Sequence, residues 1–315
     1  MDTNPVSIIE LQNARIFFDG AACLVRDSDN VIVYRFGLTD EQCESLSKAD
    51  YPLLPGLTHL LGASAGAHCY YHWMVDILPR LGILQKSGVS VSQLDHVLVR
   101  ETHQPFQSET LAQLGIQENQ IIETRNNAFF TCEKLLHVHL DNGINMKMNR
   151  FIPAWLQYQF GERNLCNERK RIYISRPAGV RRGIANEKEL LPLLESRGFH
   201  IDTMEDKTVK QQAELLAGCD VLISPHGGAL TNMLFCQPGS RIVELFGRHV
   251  YPFYYGLAQS CCHEYHAVFE NTADFKRITQ FSTASAFGSS KFQKLTRDKA
   301  FTVDPQLLSA VLNSL

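Results

Sequence analysis

Residues 220–232 read Asp220-Val221-Leu222-Ile223-Ser224-Pro225-His226-Gly227-Gly228-Ala229-Leu230-Thr231-Asn232. The run begins as an apolar, β-branched segment of the kind that forms a buried strand. A histidine and two glycines follow, where the chain passes into a short segment expected to be helical. Glycines at such a junction let the backbone approach a ligand, and the N–H groups of a helix start favour an anion. The stretch therefore predicts a strand, an anion-binding loop and a helix.

Further strands and helices are predicted on both sides of this stretch. The strands are residues 171–175, 199–201 and 241–246. The helices begin at two residue pairs spaced as capping boxes, Asn186 with Glu189 and Thr208 with Gln211. Each helix is expected to end at a glycine, which tolerates the left-handed conformation of a helix end. Strands that alternate with helices in this way indicate an α/β fold with a parallel sheet.

Parallel sheets bind ligands at the carboxyl ends of their strands. Here those ends carry Ser175-Arg176, His226-Gly227-Gly228 and Glu244. The guanidinium of Arg176 suits a diphosphate, because its forked N–H groups match phosphate oxygens. Glu244 is expected to accept from ribose hydroxyls, as acidic residues do in many nucleotide sites. The glycine motifs of dinucleotide-binding and P-loop proteins are absent. The alternative is a generic Rossmann-like domain whose loop residues have no special role.

A second polar group is predicted on a helix over residues 68–84. Its apolar residues fall on one face at helical spacing. The opposite side carries His68, His72, Asp76 and Arg80, four residues apart, and Pro79 is expected to break or kink the helix. Asp76 is the first choice for a general base and His72 the second. The alternative is that this polar face is simply solvated.

These motifs resemble glycosyltransferase family 61, which includes the extracellular O-GlcNAc transferases, the protein O-mannose β-1,4-N-acetylglucosaminyltransferase and plant xylan xylosyl- and arabinosyltransferases. The similar motifs are Ile174-Ser175-Arg176, Arg182-x-Ile184-x-Asn186-Glu187, Pro225 to Asn232, Pro238-Gly239, Val243-Glu244-Leu245 and, upstream, His72-Trp73-Met74-Val75-Asp76-Ile77-Leu78-Pro79-Arg80-Leu81. The resemblance covers residues 66–247.

The resemblance implies a GT-B-like fold, in which two Rossmann-like domains face a cleft. It implies an inverting transfer of a sugar from a nucleotide-sugar donor, expected to be UDP-linked, to a hydroxyl acceptor on a glycan, a polysaccharide precursor or a protein. No essential metal or other cofactor is expected. The implied donor-binding residues are Ser175, Arg176, Arg182, His226, Gly227, Gly228, Asn232 and Glu244. Alternative functions are a nucleotide-sugar epimerase or hydrolase of the same fold, and a non-catalytic carbohydrate-binding scaffold.

The predicted organisation has an acceptor-side α/β domain over residues 1–160 and a nucleotide-sugar-binding α/β domain over 161–290. A helical tail over 291–315 follows, in which Asp304 and Pro305 open a final helix. Similar folds return such a helix to the first domain, and that crossing is one arrangement open to this chain, although nothing in the sequence requires it. In the N-terminal half, the predicted strands are 31–34, 95–99, 120–123 and 134–140, and the predicted helices are 107–114 and one centred on 155–160.

Composition limits the classes of binding partner and the cellular location expected for this protein. The net charge is −3 and the isoelectric point is about 6.5, which argues against a dedicated nucleic-acid surface. No stretch has the length of a transmembrane span, and the first residues lack a signal peptide pattern. The nine cysteines are scattered without a C-x-x-C motif, which favours a reducing compartment. A cytoplasmic location is expected, including the periphery of a membrane-bound glycan assembly.

Two metal sites compete with this interpretation. His68, His72 and Asp76 have a spacing that zinc ligands use on one helix face. Asp27-Ser28-Asp29 matches the D-x-D of metal-dependent transferases of the other common fold. The residues from Arg26 to Asn30 lie between two apolar runs, however, and turn chemistry explains each of them. No metal site is therefore expected at either place.

Overall fold

The computed structural model describes residues 6–19, 22–46, 51–62, 65–125, 128–140, 148–162, 169–176, 181–270 and 299–315. The chain divides into two compact units, Thr3–Asp141 and Asn142–Leu315, called here the N-terminal and C-terminal units. Both combine helices with a sheet rich in parallel pairs, which confirms the α/β fold class. The C-terminal unit includes residues 151–160, which the predicted boundary assigns to the first domain. The predicted boundary at 290 falls among residues 271–298, outside the described part of the chain.

The N-terminal unit is built on a seven-stranded mixed sheet with the order β3-β2-β1-β7-β4-β5-β6. Antiparallel pairs join the first four strands of this order, and parallel pairs join the last four. The strands are β1 (Val6–Asp19), β2 (Ala22–Arg26), β3 (Ile32–Phe36), β4 (Leu53–Gly62), β5 (His96–Val99), β6 (Ile121–Glu123) and β7 (Ala128–Leu140). The α-helices are α1 (Asp40–Leu46), α2 (Tyr70–His72), α3 (Pro79–Lys86) and α4 (Pro105–Gln113).

The predicted helix over residues 68–84 is present but broken. After a 3-10 turn at Ala65–His68 and the short α2, the chain forms a π turn over Trp73–Ile77 and continues as α3. The N–H of Leu78 donates to the carbonyl of Trp73 at 3.0 Å. Pro79 has no N–H to donate and its ring crowds the preceding turn, so it opens a new helix, as predicted. The predicted apolar face is buried at Trp73, Met74, Ile77, Leu81 and Leu84.

The C-terminal unit contains a five-stranded sheet with the order β12-β11-β10-β8-β9, and each neighbouring pair is parallel. The strands are β8 (Lys170–Ile174), β9 (Phe199–Asp202), β10 (Cys219–Pro225), β11 (Arg241–Phe246) and β12 (Glu264–Phe269). The helices are α5 (Phe151–Phe160), α6 (Glu187–Ser196), α7 (Val209–Leu216), a 3-10 helix at Gly228–Phe235, α8 (Phe253–Ser260) and α9 (Pro305–Ser314). The four strands and three helical segments predicted for residues 171–246 are confirmed.

The last helix, α9, packs within the C-terminal unit. Leu308 and Leu312 are buried in one hydrophobic cluster with Leu190 and Leu194 of α6, and Nη2 of Arg197 donates to the hydroxyl of Ser309 at 2.9 Å. The arrangement in which this helix returns to the first domain is therefore wrong. Its apolar side chains complete the core of the second sheet instead. The predicted start of the helix is confirmed, because the Asp304 side chain caps it and proline stands in its first turn.

The two predicted capping boxes have different outcomes. Thr208 and Gln211 form one at the start of α7, as predicted. Asn186 precedes α6 without a side-chain cap. Its amide accepts from the N–H of Val303 at 3.0 Å and donates to the carbonyl of Val303 at 2.8 Å. Because the Asn186 amide binds both backbone groups of Val303, it does not cap α6. The predicted helix is confirmed, and the predicted capping box at Asn186 is wrong.

Removing the cap of α7 gives a stability prediction. Thr208→Ala is expected to lower the free energy of unfolding by about 1 kcal/mol, the usual cost of losing an N-cap side chain. Thr208→Ser keeps the hydroxyl that accepts from the N–H of Gln211, so it should cost much less. Urea denaturation of the three proteins measures the difference. Equal losses in both variants would contradict the capping role.

Within the described part of the chain, no helix is both long enough and apolar enough to span a bilayer.

Candidate functional site

Polar side chains gather at the carboxyl edge of the C-terminal sheet. Arg176 follows the end of β8, His226 follows the end of β10, and Glu244 lies late in β11. Because β10 lies between β8 and β11, these three ends are adjacent. The structure thus brings together the arginine, the histidine and the carboxylate that the sequence placed at one edge.

Arg176 lies directly against the loop after β10. Its Nη2 donates to the carbonyl of His226 at 2.8 Å, and its Nη1 donates to the carbonyl of Arg181. Burial and the nearby Arg182 lower the pKa of Arg176 to about 10, so the side chain is charged at neutral pH. Two backbone carbonyls therefore hold a guanidinium in place at the sheet edge.

Gly227 makes room for that guanidinium. A Cβ added at this glycine would lie 1.5 Å from Nη2 of Arg176. The backbone itself is extended, with a φ of 162°, which other residues also adopt. The glycine is therefore required here by space and not by backbone conformation.

His226 and Glu244 form a buried pair at the same edge. Nδ1 of His226 contacts Oε1 of Glu244, and the hydroxyl of Tyr265 donates to Oε2 at 2.5 Å. Burial raises the pKa of Glu244 well above its ordinary value. Burial, together with Arg182 and Arg176, lowers the pKa of His226 to about 3. Glu244 has no exposed surface, so the ribose contact predicted for it would require this carboxyl to leave its buried position.

A small cavity opens beside His226. Three of its lining residues, Arg182, Arg248 and Lys299, bring formal positive charges, and Arg248 also lies 3.8 Å from a carboxylate oxygen of Glu270. The charge of this lining favours an anion over a cation at the cavity mouth. The full set of lining residues is Arg182, His226, Gly247, Arg248, His249, Lys299 and Phe301.

Of the residues that line this cavity, Arg182 and His226 were predicted from the sequence, and Arg248, His249 and Lys299 were not. A signal for Arg248 was present, because it follows the end of β11 much as Arg176 follows β8. Lys299 gave no such signal, since it lies far along the chain from every motif.

Two other predicted donor-binding residues have partners inside the protein, and a third opens the helix that follows the loop. The hydroxyl of Ser175 donates to Glu187 at 2.8 Å. Asn232 is buried, and its Nδ2 donates to the side chain of Gln212 at 2.7 Å. Gly228 is the first residue of the 3-10 helix after the loop. The contact of Ser175 joins the end of β8 to α6, and the contact of Asn232 joins the 3-10 helix to α7.

The N-terminal unit carries the predicted catalytic pair. Nδ1 of His72 lies 2.6 Å from Oδ2 of Asp76, and both side chains are partly exposed. Gly66 allows this position of His72, because a Cβ there would lie 2.8 Å from the imidazole. Arg80 donates to the carbonyls of Asp76 and Leu61. The pair therefore lies near the carboxyl end of β4, with both side chains partly exposed to solvent.

The structure also describes the residues at both places where the sequence offered an alternative metal site. Among the described residues, no group of three histidine, cysteine or acidic side chains is arranged to hold a metal ion. Asp27 accepts through Oδ1 from the N–H of Val31 at 2.8 Å, and Asn30 adopts a left-handed φ of 66°. These features are those of the turn between β2 and β3 that the sequence favoured over a D-x-D site.

The chain matches the model of a known protein family. The family model described as Glycosyltransferase 61 matches residues 70–243, which is more than half of the chain. A search of curated proteins finds no match. The matched residues include His72, Asp76, Arg176, His226 and Gly227.

Proposed function

The chain belongs to glycosyltransferase family 61, and from this premise we propose that it moves a sugar from a nucleotide-sugar donor to a hydroxyl acceptor with inversion at the anomeric carbon. The donor would bind at the carboxyl edge of the C-terminal sheet. The observation that carries this proposal is the basic cavity beside His226, with Arg176 held at the same edge. We further propose the GT-B arrangement of domains, a UDP-linked donor and a glycan or polysaccharide precursor as acceptor.

The donor's diphosphate has suitable partners at this edge. Arg176, Arg182, Arg248 and Lys299 carry positive charge, and Gly227 leaves the room that the guanidinium of Arg176 occupies at this edge. Such groups stabilise the charge that develops on a departing nucleoside diphosphate. The same residue types would also stabilise the bound donor before reaction. We therefore assign them to donor binding and, in addition, to stabilisation of the leaving group.

Inversion requires one general base, which takes the proton of the acceptor hydroxyl as its oxygen attacks the anomeric carbon. We propose Asp76 for this role and His72 as its orienting partner. The 2.6 Å contact between them supports this assignment, and their partial exposure leaves them accessible to a substrate. The reversed assignment, with His72 as the base, uses the same contact.

A panel of nucleotides and nucleotide sugars tests donor binding most directly. A ligand that binds only the folded protein stabilises it, by roughly 2.7 kcal/mol at a concentration 100 times its dissociation constant. We expect UDP and at least one UDP-sugar to raise the melting temperature. If no nucleotide or nucleotide sugar in the panel does so, the proposed donor site is wrong.

A second assay separates the transferase from its alternatives. The protein is incubated with the donor, with and without candidate acceptors. A transferase forms a glycosylated product only when an acceptor is present. Free sugar or an epimerised nucleotide sugar formed without acceptor would favour the hydrolase or epimerase. A protein that binds the glycan and consumes no donor would be the carbohydrate-binding scaffold.

Turnover is expected to survive chelation. Protein donors and the N–H groups after Gly227 would neutralise the leaving diphosphate in place of a cation. The test is activity after EDTA treatment, compared with the same preparation supplied with manganese. Loss of turnover in EDTA that manganese restores would overturn the metal-independent mechanism, and it would direct attention to Asp27 and Asp29 or to the row of His68, His72 and Asp76.

A further inference from the structure

Glu244 is a buried carboxyl group with a partner on each oxygen. Oε1 contacts Nδ1 of His226, and Oε2 accepts from the hydroxyl of Tyr265. The imidazole is held in turn by Phe246, which stacks on it at a centroid distance of 5.3 Å, and by Tyr254, which meets it edge-on at 5.4 Å. The orientation of His226 is therefore set by its surroundings, with one ring nitrogen committed to Glu244.

The other ring nitrogen, Nε2, is not used in the contact with Glu244. His226 lines the cavity, so Nε2 is its polar side-chain atom available to a ligand there. A neutral imidazole carries its hydrogen on one nitrogen, and the other nitrogen presents a lone pair. If Glu244 were ionised beside a neutral ring, Nδ1 would carry the hydrogen and Nε2 would repel an anionic oxygen. If Glu244 holds a proton, it donates to Nδ1, and the hydrogen of the ring sits on Nε2.

We propose that Glu244 is a positioning residue that keeps its own proton, donates it in a hydrogen bond to Nδ1 of His226, and so directs Nε2–H of His226 at the diphosphate of the donor. The identity of the anion rests on the proposed function. The hydrogen-bonded chain from Tyr265 through Glu244 to His226 belongs to the unliganded protein and can be tested without a substrate.

Burial and charge support this arrangement of protons. Burial raises the pKa of Glu244, and the hydrogen bond from Tyr265, which acts in the opposite direction, is the smaller effect. Burial also lowers the pKa of His226, and the positive charges of Arg182 and Arg176 lower it further. Both directions favour an uncharged acid beside an uncharged imidazole. Arg248 and Lys299 line the same cavity as His226.

The geometry of the carboxyl fits the protonated form as well. A carboxylic acid has one O–H to donate and one carbonyl oxygen to accept. At Glu244 the hydroxyl of Tyr265 donates to Oε2, and Oε1 lies against Nδ1 of His226, which is the acceptor in the proposed tautomer. A hydrogen-bond donor that is fixed before the ligand arrives needs no reorganisation when an anion binds.

The direct test is nitrogen-15 NMR of the imidazoles in unliganded protein at neutral pH. The chain has twelve histidines, so the signal of His226 is assigned by its absence from the His226→Gln variant. We expect a neutral ring with a protonated, pyrrole-type Nε2 and an unprotonated, pyridine-type Nδ1. A pyrrole-type Nδ1 with a bare Nε2, or a ring protonated on both nitrogens, would overturn the proposal.

Two substitutions of Glu244 give a second, independent readout. In Glu244→Gln the amide N–H can donate to Nδ1 while the amide oxygen accepts from Tyr265, so this variant imitates the protonated acid. It should keep the Nε2–H tautomer and bind UDP within about twofold of the original protein. Glu244→Ala removes the donor and should weaken UDP binding about two- to tenfold, the contribution of one neutral hydrogen bond.

Calorimetry with UDP as the probe measures both variants, and melting temperatures show that each is folded. If Glu244→Ala does not fold, the comparison of Glu244→Gln with the original protein decides alone. A folded Glu244→Gln that has lost the Nε2–H tautomer or more than tenfold in UDP affinity would overturn the proposal. If UDP does not bind the original protein at all, the proposed function fails, and the NMR result still decides the state of the Glu244–His226 pair.

Discussion

Asp76→Asn is expected to lower turnover by about 10²–10⁴-fold, the usual contribution of a general base. The substitution keeps the shape of the side chain, and the asparagine oxygen can still accept from Nδ1 of His72, which lies 2.6 Å from Oδ2 of Asp76. What it removes is the ability to take a proton from the acceptor hydroxyl. Affinity for UDP should barely change, because Asp76 lies in the N-terminal unit and the proposed donor site lies in the C-terminal unit.

His72→Ala is the comparison that assigns the roles. If Asp76 is the base, loss of its imidazole partner should reduce turnover less than Asp76→Asn does. If His72→Ala abolishes turnover while Asp76→Asn retains most of it, His72 is the base and Asp76 orients it. If neither variant changes turnover, the polar side of this helix is only a solvated surface and the base lies elsewhere. Steady-state rates with saturating donor separate the three outcomes.

Arg176→Ala is expected to weaken UDP binding roughly 10- to 150-fold, because a hydrogen bond to a charged group contributes roughly 1.5–3 kcal/mol. Arg171→Ala is a matched control. Arg171 is exposed near the start of β8, the strand that Arg176 follows, and its Nη1 donates to the carbonyl of Arg197 at 3.3 Å. Its loss should leave UDP affinity unchanged. Calorimetry that gives unchanged affinity for Arg176→Ala would overturn the assignment of Arg176 to the diphosphate.

Gly227→Ala tests the position of the Arg176 guanidinium by changing the residue that packs against it. The added methyl group would lie 1.5 Å from Nη2 of Arg176, so the guanidinium must move and UDP affinity should fall. If the glycine acts by making room for Arg176, the same substitution should cost little more in the Arg176→Ala background, since coupled residues do not add. Full additivity in the double variant would mean that Gly227 contributes by another route.

The strands and helices over residues 171–246 were predictable because local signals coincide there. The run Asp220–Ser224 is β-branched and apolar, and the helix at Thr208 begins with a complete capping box. Adjacent parallel strands then place their carboxyl ends together, which is why Arg176 and His226 could be predicted to meet. The β8–β9 pair and the pair formed by β10 and β11 follow from the same alternation of strands and helices.

Elements without such signals were missed. β1 spans Val6–Asp19, but Gln12 and Asn13 interrupt its apolar pattern, and Asn13 adopts a left-handed φ of 50°. α8 contains Gly256 in its middle and begins with aromatic residues, both of which weaken a helical prediction. Tertiary pairing with β7 stabilises β1 along most of its length, and no property of residues 6–19 alone reveals that partner.

The sequence indicated which residues lie at the candidate site. It did not indicate which side chains those residues contact. The position of Glu244 late in a strand indicated a nucleotide-facing carboxylate, yet the side chain is enclosed by His226 and Tyr265. Tyr265 belongs to β12, which the sequence pattern did not reveal. Side-chain direction and burial depend on the neighbouring strand, so the role of Glu244 changed once β12 was placed beside β11.

The order in which the C-terminal unit can fold during synthesis follows from the packing of α9. Leu308 and Leu312 fill a cluster with Leu190 and Leu194, and Asn186 binds the backbone of Val303 across 117 residues of sequence. Until the ribosome has released residues 301–312, α6 and its side of the sheet must remain partly uncovered. Contacts this distant in sequence slow folding and leave apolar surface open to aggregation or to chaperones. Substitutions in α9 should therefore reduce the yield of folded protein in cells before they affect the chemistry of the site.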